Sequence, residues 1–193
     1  MDKLRQYFDR STPEKLQEVY FNIEYYLGTR GREWIRHLRK NQIYICFDSN
    51  GRKYVDFPNL HTIQKNEQPS ISNTTGKSVM KQSRIYAHST ASTCPVEAIK
   101  VLLSKLPDCC QSIFYRKRKD WEDSDTWYNA KLPMGMNTIG DLMKSISKSA
   151  KLSKTYTCHC IRSTVITSMS NVGASVIDIQ CVSGHKSGNS VNR

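Results

Sequence analysis

Apolar residues recur at Leu16, Val19, Tyr20, Ile23 and Leu27, three or four positions apart, the spacing that lines one face of a helix. Ser11 stands three residues before Glu14, with Pro13 between them; this pattern predicts a capped helix start, and Gly28 suits a left-handed stop. Ahead of it, Met1 to Gln6 lead into a polar helix. Arg32 to Arg39 continue as a second short helix on Trp34, Ile35 and Leu38. The period then changes to that of extended chain. Gln42 to Phe47 and Arg52 to Phe57 are rich in β-branched and aromatic residues and flank Asn50-Gly51, which predicts two antiparallel strands joined by a type I′ turn. Residues 58–83 are polar without a period and read as a long mobile loop, after which Arg84 to Ala87 can return as a third strand. Helical spacing resumes from Pro95 through Val96, Ile99, Leu102, Leu103 and Leu106, closed by Pro107. Residues 116–136 look irregular. Ile139, Leu142, Met143 and Ile146 mark another helix, Ile161, Val165 and Met169 the next, ending near Gly173, and Val176, Ile179 and Val182 the last. The expected architecture is mixed α/β, mostly α, with a small three-stranded antiparallel sheet in one domain spanning 1–193.

Composition narrows the partners. Across 193 residues, 29 Lys and Arg against 17 Asp and Glu leave a net charge of +12, a balance that favours a polyanion such as nucleic acid. No apolar run approaches the roughly 20 residues of a membrane span, and the opening residues lack an apolar leader core, so neither a membrane nor a secretory destination is expected. The 7 cysteines are odd in number and without C-x-x-C spacing, which argues for reduced thiols over a disulfide framework. Cys158-His159-Cys160 has ligand chemistry but no second ligand pair at zinc spacing, so no metal is expected. Asn73-Thr74-Thr75 matches a glycosylation acceptor by chance only.

The segment from His159 to His185 is the most informative. His159 and Arg162 form an H-x-x-R, followed by Thr164, Thr167, Gly173, Ile179-Gln180 and Gly184-His185 without a gap. This register resembles the carboxy-terminal half of tyrosine recombinases, the integrase family of DNA breaking and rejoining enzymes. Upstream, Gly28-Thr29-Arg30-Gly31-Arg32-Glu33-Trp34 resembles the family's first arginine box, which matches Arg30 to the catalytic arginine and Glu33 to the buried acid. A plain alternative for Arg30 is capping of the preceding helix. Between these anchors, Arg84-Ile85-Tyr86-Ala87, Cys94-Pro95-Val96, Leu103 to Pro107, Phe114-Tyr115, Trp127-Tyr128 and Gly184 to Ser187 resemble one branch. That branch is the Crypton-derived domain of Crypton transposons and of MYM-type zinc-finger and glutamine-rich nuclear proteins.

The resemblance implies a DNA breaking-rejoining catalytic core, with DNA as partner, self-association on DNA, no cofactor and a nuclear location. Cleaving a phosphodiester this way needs a hydroxyl nucleophile, cations on the phosphate oxygens and an acid for the departing 5′ oxygen. Arg30 and Arg162 are the implied pair on the non-bridging oxygens, where planar bidentate donors matter. His159 is the implied proton acceptor or relay, and His185 a hydrogen-bond donor to the phosphate. The hairpin lysine that serves as acid corresponds best to Lys65, with Lys77 as runner-up. The family's nucleophilic tyrosine would fall just after Arg193, so these 193 residues are expected to bind DNA without cleaving it. No separate amino-terminal DNA-clamping domain is expected. A domesticated, non-catalytic DNA- or protein-interaction module is the alternative.

Other charges carry less. Arg116-Lys117-Arg118-Lys119 can track phosphates or direct nuclear import, though such runs are commonly solvated loops. Lys144, Lys148, Lys151 and Lys154 can extend a DNA-facing surface or simply aid solubility. Tyr25 and Tyr26 read as core and rim of the first long helix rather than base-stacking residues.

Overall fold

The computed structural model describes residues 2–28, 32–58 and 84–183, and of Asp2, Arg32, Glu33 and Cys181 only the backbone. Its helices are α1 (Asp2–Tyr7), α2 (Glu18–Leu27), α3 (Arg32–His37), α4 (Pro95–Lys105), α5 (Met136–Ser149), α6 (Cys158–Asn171) and α7 (Val176–Ser183). The strands are β1 (Tyr44–Phe47), β2 (Lys53–Asp56), β3 (Arg84–Tyr86), β4 (Tyr115–Lys117) and β5 (Tyr128–Pro133).

α2 lies at the centre because its apolar positions surround it almost completely. Val19, Tyr20, Phe21, Ile23 and Leu27 are all buried, and the helix packs on α4, α6 and β3. Pro95 opens α4 at its first turn, where a missing N–H costs nothing. The three-stranded sheet runs β1-β2-β3 in antiparallel order. Val55, opposite Ile45 and Ile85, is fully buried, as is Ile85. β1 is one edge strand, and its Tyr44, Ile45 and Phe47 are exposed. The sheet therefore covers one side of a helical body, as the pattern predicts.

Three local readings need correction. The Ser11 amide and hydroxyl both donate to the Asp9 carboxylate instead of starting the helix, at 3.0 and 2.6 Å. Thr12 Oγ1 accepts from the Lys15 amide at 3.2 Å, and a 3₁₀ turn at Lys15–Gln17 leads into α2. Asp9, two residues away, simply offers Ser11 a nearer acceptor than the helix does. The β1–β2 turn is not type I′, which needs positive φ at both central residues. Gly51 has φ 71° while Asn50 does not turn left-handed, and Gly51 N–H donates to the Asp48 carbonyl at 3.0 Å. This is a type I turn followed by a left-handed glycine. The Asp48 carboxylate fixes it by accepting from the Asn50 and Arg52 amides, each at 2.9 Å.

The third correction concerns residues 116–136, which hold a second sheet. β4 and β5 pair antiparallel, with Tyr115 opposite Pro133 and Lys117 opposite Tyr128 across an irregular register. Tertiary contacts, not local periodicity, make these strands. Tyr115 and Tyr128 are buried, and the Trp127 amide donates to the Lys105 carbonyl at 2.9 Å while Lys105 Nζ sits 4.8 Å above the Trp127 ring.

Candidate DNA phosphate-binding site

α6 carries the only described pair of the implied catalytic residues. Its start is fixed from α5. Ser147, buried on α5, donates to the Met143 carbonyl at 2.7 Å and accepts from the Tyr156 amide at 3.0 Å, and the Leu152 amide donates to the Ser147 carbonyl at 3.0 Å. This ties the 151–157 crossing to α5, so Thr157 begins α6 at a set place. His159 then lies on the exposed side of the first turn. Ile161, Arg162 and Val165 form the inward stripe, and Arg162 is only 7% exposed. A long cationic side chain on an apolar stripe is unusual enough to need an anionic or polar counterpart.

α2 supplies an acid on the opposing side. Glu24 is 2% exposed; burial pushes its carboxyl up to about 8, with the Arg162 charge opposing that rise. Glu24 shares the inward face of α2 with Tyr20, Ile23 and Leu27. At the end of α2, Gly28 adopts φ 56° and donates its N–H to the Glu24 carbonyl at 3.1 Å. A Cβ at Gly28 would stand 2.7 Å from Val182 Cγ1 and 3.5 Å from Val165 Cγ1. Gly28 stands two residues before Arg30 and Val182 three before His185 in sequence. Their contact therefore joins the roots of the two segments that carry those residues.

Gly28→Ala is accordingly expected to cost about 2 kcal/mol, from left-handed backbone strain and overpacking together. Urea unfolding measures it. Partial recovery by a second change, Val182→Ala, separates the steric part from the backbone part, and a neutral Gly28→Ala would disprove the close approach.

Arg30, Lys65, Lys77 and His185 lie outside the described residues, as does the Glu33 side chain. The structure thus places His159 one turn from Arg162 on α6 and buries Glu24 on α2 within reach of the Arg162 charge, and leaves those other assignments where the sequence put them. Glu24 was not among the sequence candidates. Its trace was nonetheless present: a lone carboxylate at helical spacing from Tyr20, Ile23 and Leu27 falls on an apolar face.

The secondary candidates resolve unevenly. In the basic run, Arg118 is engaged by the Asp120 carboxylate at 3.0 and 2.6 Å and by Thr126 Oγ1 at 3.3 Å. Lys117 pairs with Glu14, whereas Arg116 and Lys119 are exposed. Lys144 pairs with Asp141 at 2.8 Å, and Lys154 Nζ sits 5.4 Å from the Tyr156 ring. Tyr25 stacks on Phe21, and Tyr26 on the rim bonds the His88 ring at 2.8 Å, as core and rim residues do. Bonding to Thr157 draws the Cys160 thiol below its ordinary range. Among the described residues no three His, Cys, Asp or Glu side chains group as metal ligands.

A family model described as the phage integrase family matches residues 59–193, most of the chain. The chain belongs to the phage integrase family. Two solved structures share the fold of this integrase-family domain. The crystal structure of XerA recombinase superposes with a TM-score of 0.54 at 17% identity, over 99% of this chain and 54% of that one. The XerH site-specific recombinase, bound to a palindromic difH substrate in a post-cleavage complex, gives 0.53 at 14% identity, over 99% and 46%. The chain thus spans about half the length of these recombinases. No curated protein matches it. The mostly helical body with its small antiparallel sheet is the tyrosine-recombinase catalytic fold that the sequence resemblance implied.

Proposed function

We propose that this integrase-family domain binds DNA by gripping a backbone phosphate with Arg162, and that strand cleavage depends on a tyrosine following His185. One observation carries the reading: Arg162 sits on the inward stripe of α6, one turn from the exposed His159, in the family-matched part of the chain. A guanidinium held by packing has lost its rotamer freedom before the ligand arrives, so less is lost on binding. Arg30 completes the phosphate clamp, Lys65 serves as acid for the 5′ oxygen, with Lys77 as the alternative, and His185 donates to the phosphate. The XerH neighbour was captured on its DNA substrate, which supports DNA as the partner here. The Crypton-like segments quoted above support a place in that branch, nuclear residence and self-association on DNA.

Salt and mutation test the phosphate site. Affinity for a labelled duplex is expected to fall steeply between about 50 and 200 mM salt, with a slope near −0.9 per phosphate contact. Arg162→Ala should weaken binding by at least roughly tenfold, the scale of one charge-assisted hydrogen bond. Arg118→Ala should change it by less than about twofold, because Asp120 already neutralises that guanidinium. Fluorescence anisotropy reads both, and equal losses would return Arg162 to a purely structural role.

A further inference from the structure

We propose that β1 is an interface between two copies of this chain: their Tyr44–Phe47 strands pair antiparallel, edge to edge, and join two three-stranded sheets into one. This gives a surface to the self-association in the functional reading above, and rests on that reading. The backbone fixes which groups are open. The Asp48 amide donates to the Arg52 carbonyl at 3.0 Å, in the same register that sets Cys46 opposite Tyr54 and Tyr44 opposite Asp56. Antiparallel pairs alternate between hydrogen-bonded and open, so Tyr44, Cys46 and Asp48 turn their N–H and C=O groups toward β2. Ile45 and Phe47 turn theirs away from the sheet, where they meet no partner among the described residues.

The side chains along this edge are apolar and unshielded. Ile45 and Phe47 share the sheet face of Val55 and Ile85, which the helical body buries completely, yet they are 38% and 66% exposed because β1 overhangs that body. Sheets usually blunt such an edge with a lysine, a proline, a bulge or a covering element. Tyr44-Ile45-Cys46-Phe47 has no charge and no proline, and it pairs with β2 without a bulge. The other edge strand, β3, carries Arg84 and packs against α2 and α4.

Hydrogen bonding and charge both select a second copy. With the two-fold axis at Cys46, Ile45 of each copy stands opposite Phe47 of the other. Every open N–H and C=O of both strands then finds a partner, and each Ile45 side chain packs on an aromatic ring. An axis at Ile45 would need the Ile43 amide, which already donates to the Lys40 carbonyl at 3.3 Å. An axis at Phe47 would set Ile45 against Ser49, in the turn. At a net charge of +12 two copies repel, and they meet most readily where cations are already neutralised. Beside β1, Arg52 is held by Asp48 at 2.8 Å, Lys53 by Glu97 at 2.6 Å and Lys40 by Asp108 at 3.4 Å.

The test is sedimentation equilibrium of the free 193-residue protein from about 1 to about 200 µM, paired with residue-resolved amide exchange. Mass should rise from monomer to dimer with concentration. The Ile45 and Phe47 amides, open in the monomer, should become protected in step with it. Phe47→Lys, at a side chain exposed enough to leave the fold intact, should raise the dissociation constant at least about tenfold by setting a cation against Ile45 of the other copy. Ile177→Lys alters the other exposed apolar patch, Val172, Val176 and Ile177 at the α6–α7 corner, and should leave the dimer intact. A dimer that Ile177→Lys dissociates and Phe47→Lys does not, or one whose Ile45 and Phe47 amides stay unprotected, overturns the proposal. So does a free protein that remains monomeric throughout. Sedimentation with a labelled duplex then judges the reading beneath: two copies per duplex keep self-association without β1, and a single copy removes both. Should Phe47→Lys fail to fold, the exchange pattern of the wild type decides.

Discussion

Arg10→Ala is expected to destabilise the fold by on the order of 3–5 kcal/mol, the cost of leaving a buried charge without its partner. Arg10 adopts a left-handed backbone at φ 59°, which aims its side chain into the junction of α2 with the 3₁₀ turn before α4. There its Nε and Nη2 donate to the two Glu18 carboxylate oxygens at 2.8 and 3.2 Å. Its Nη1 and Nη2 also donate to the carbonyls of Ala91 and Cys94, at 2.8 and 2.9 Å. The Glu18 side chain is only 5% exposed, and beyond Arg10 it receives the Asn22 amide at 3.4 Å. Alanine thus strands an acid that water cannot reach and removes the donors of two carbonyls at once. Alanine keeps a Cβ, so the left-handed strain at this position remains and offsets none of that loss. Guanidinium chloride unfolding of the single variant measures the cost, and Arg10→Ala with Glu18→Gln should recover part of it. A loss below about 1 kcal/mol would show that the pair behaves as a solvated surface bridge.

This brace shows what could not be read from the chain. Cys94 lies 84 residues from Arg10 in sequence, and nothing in the spacing of Ser11, Pro13 and Glu14 says that Ser11 will turn to Asp9. Elements whose stability is local were legible: the stripe Leu16 to Leu27, the Pro95 start and the Gly173 stop, which does adopt φ 78°. Elements defined by distant partners were not. β4 and β5 have no alternating pattern of their own and exist because Tyr115 and Tyr128 are buried against the body. The Asn50-Gly51 turn failed for a nearer reason, since the Asp48 carboxylate captures two amides and favours a different backbone path.

Legibility of the site divides in the same way. His159 and Arg162 stand one helical turn apart, so their spacing alone places them on one helix, and α6 holds them so. Their opposite fates, one exposed and one buried, depend on where α2 lies, which the spacing does not contain. The resemblance implies a buried acid at Glu33, inside the arginine box, and that side chain lies outside the described residues. Glu24 lies six residues before Arg30 and outside that box. Its only trace was chemical: a carboxylate on an apolar helical face must meet a partner or keep its proton.

That kept proton gives the second large prediction, a loss of folding stability as pH rises through neutrality. Burial raises the Glu24 carboxyl from 4.5 to about 8 in the folded protein, against the opposing pull of Arg162. Below about pH 4.5 folded and unfolded chains both hold the proton, and Glu24 adds no pH dependence. Between about pH 4.5 and pH 8 unfolding releases it, so the unfolded state binds fewer protons and stability declines with rising pH. Above about pH 8 both states are ionised and the loss is complete, on the order of 5 kcal/mol at about 1.4 kcal/mol per unit. Glu24→Gln removes the titration and should flatten this part of the curve, so that the variant becomes the more stable protein at alkaline pH. Subtracting the two urea-unfolding series cancels groups that run the other way, such as Asp9, whose carboxyl Lys15 and Ser11 hold down at about 2 despite partial desolvation. Curves that stay parallel from about pH 5 to about pH 9 would sink the assignment. Curves that diverge as described make Glu24 a buried acid kept at a cost in stability at alkaline pH.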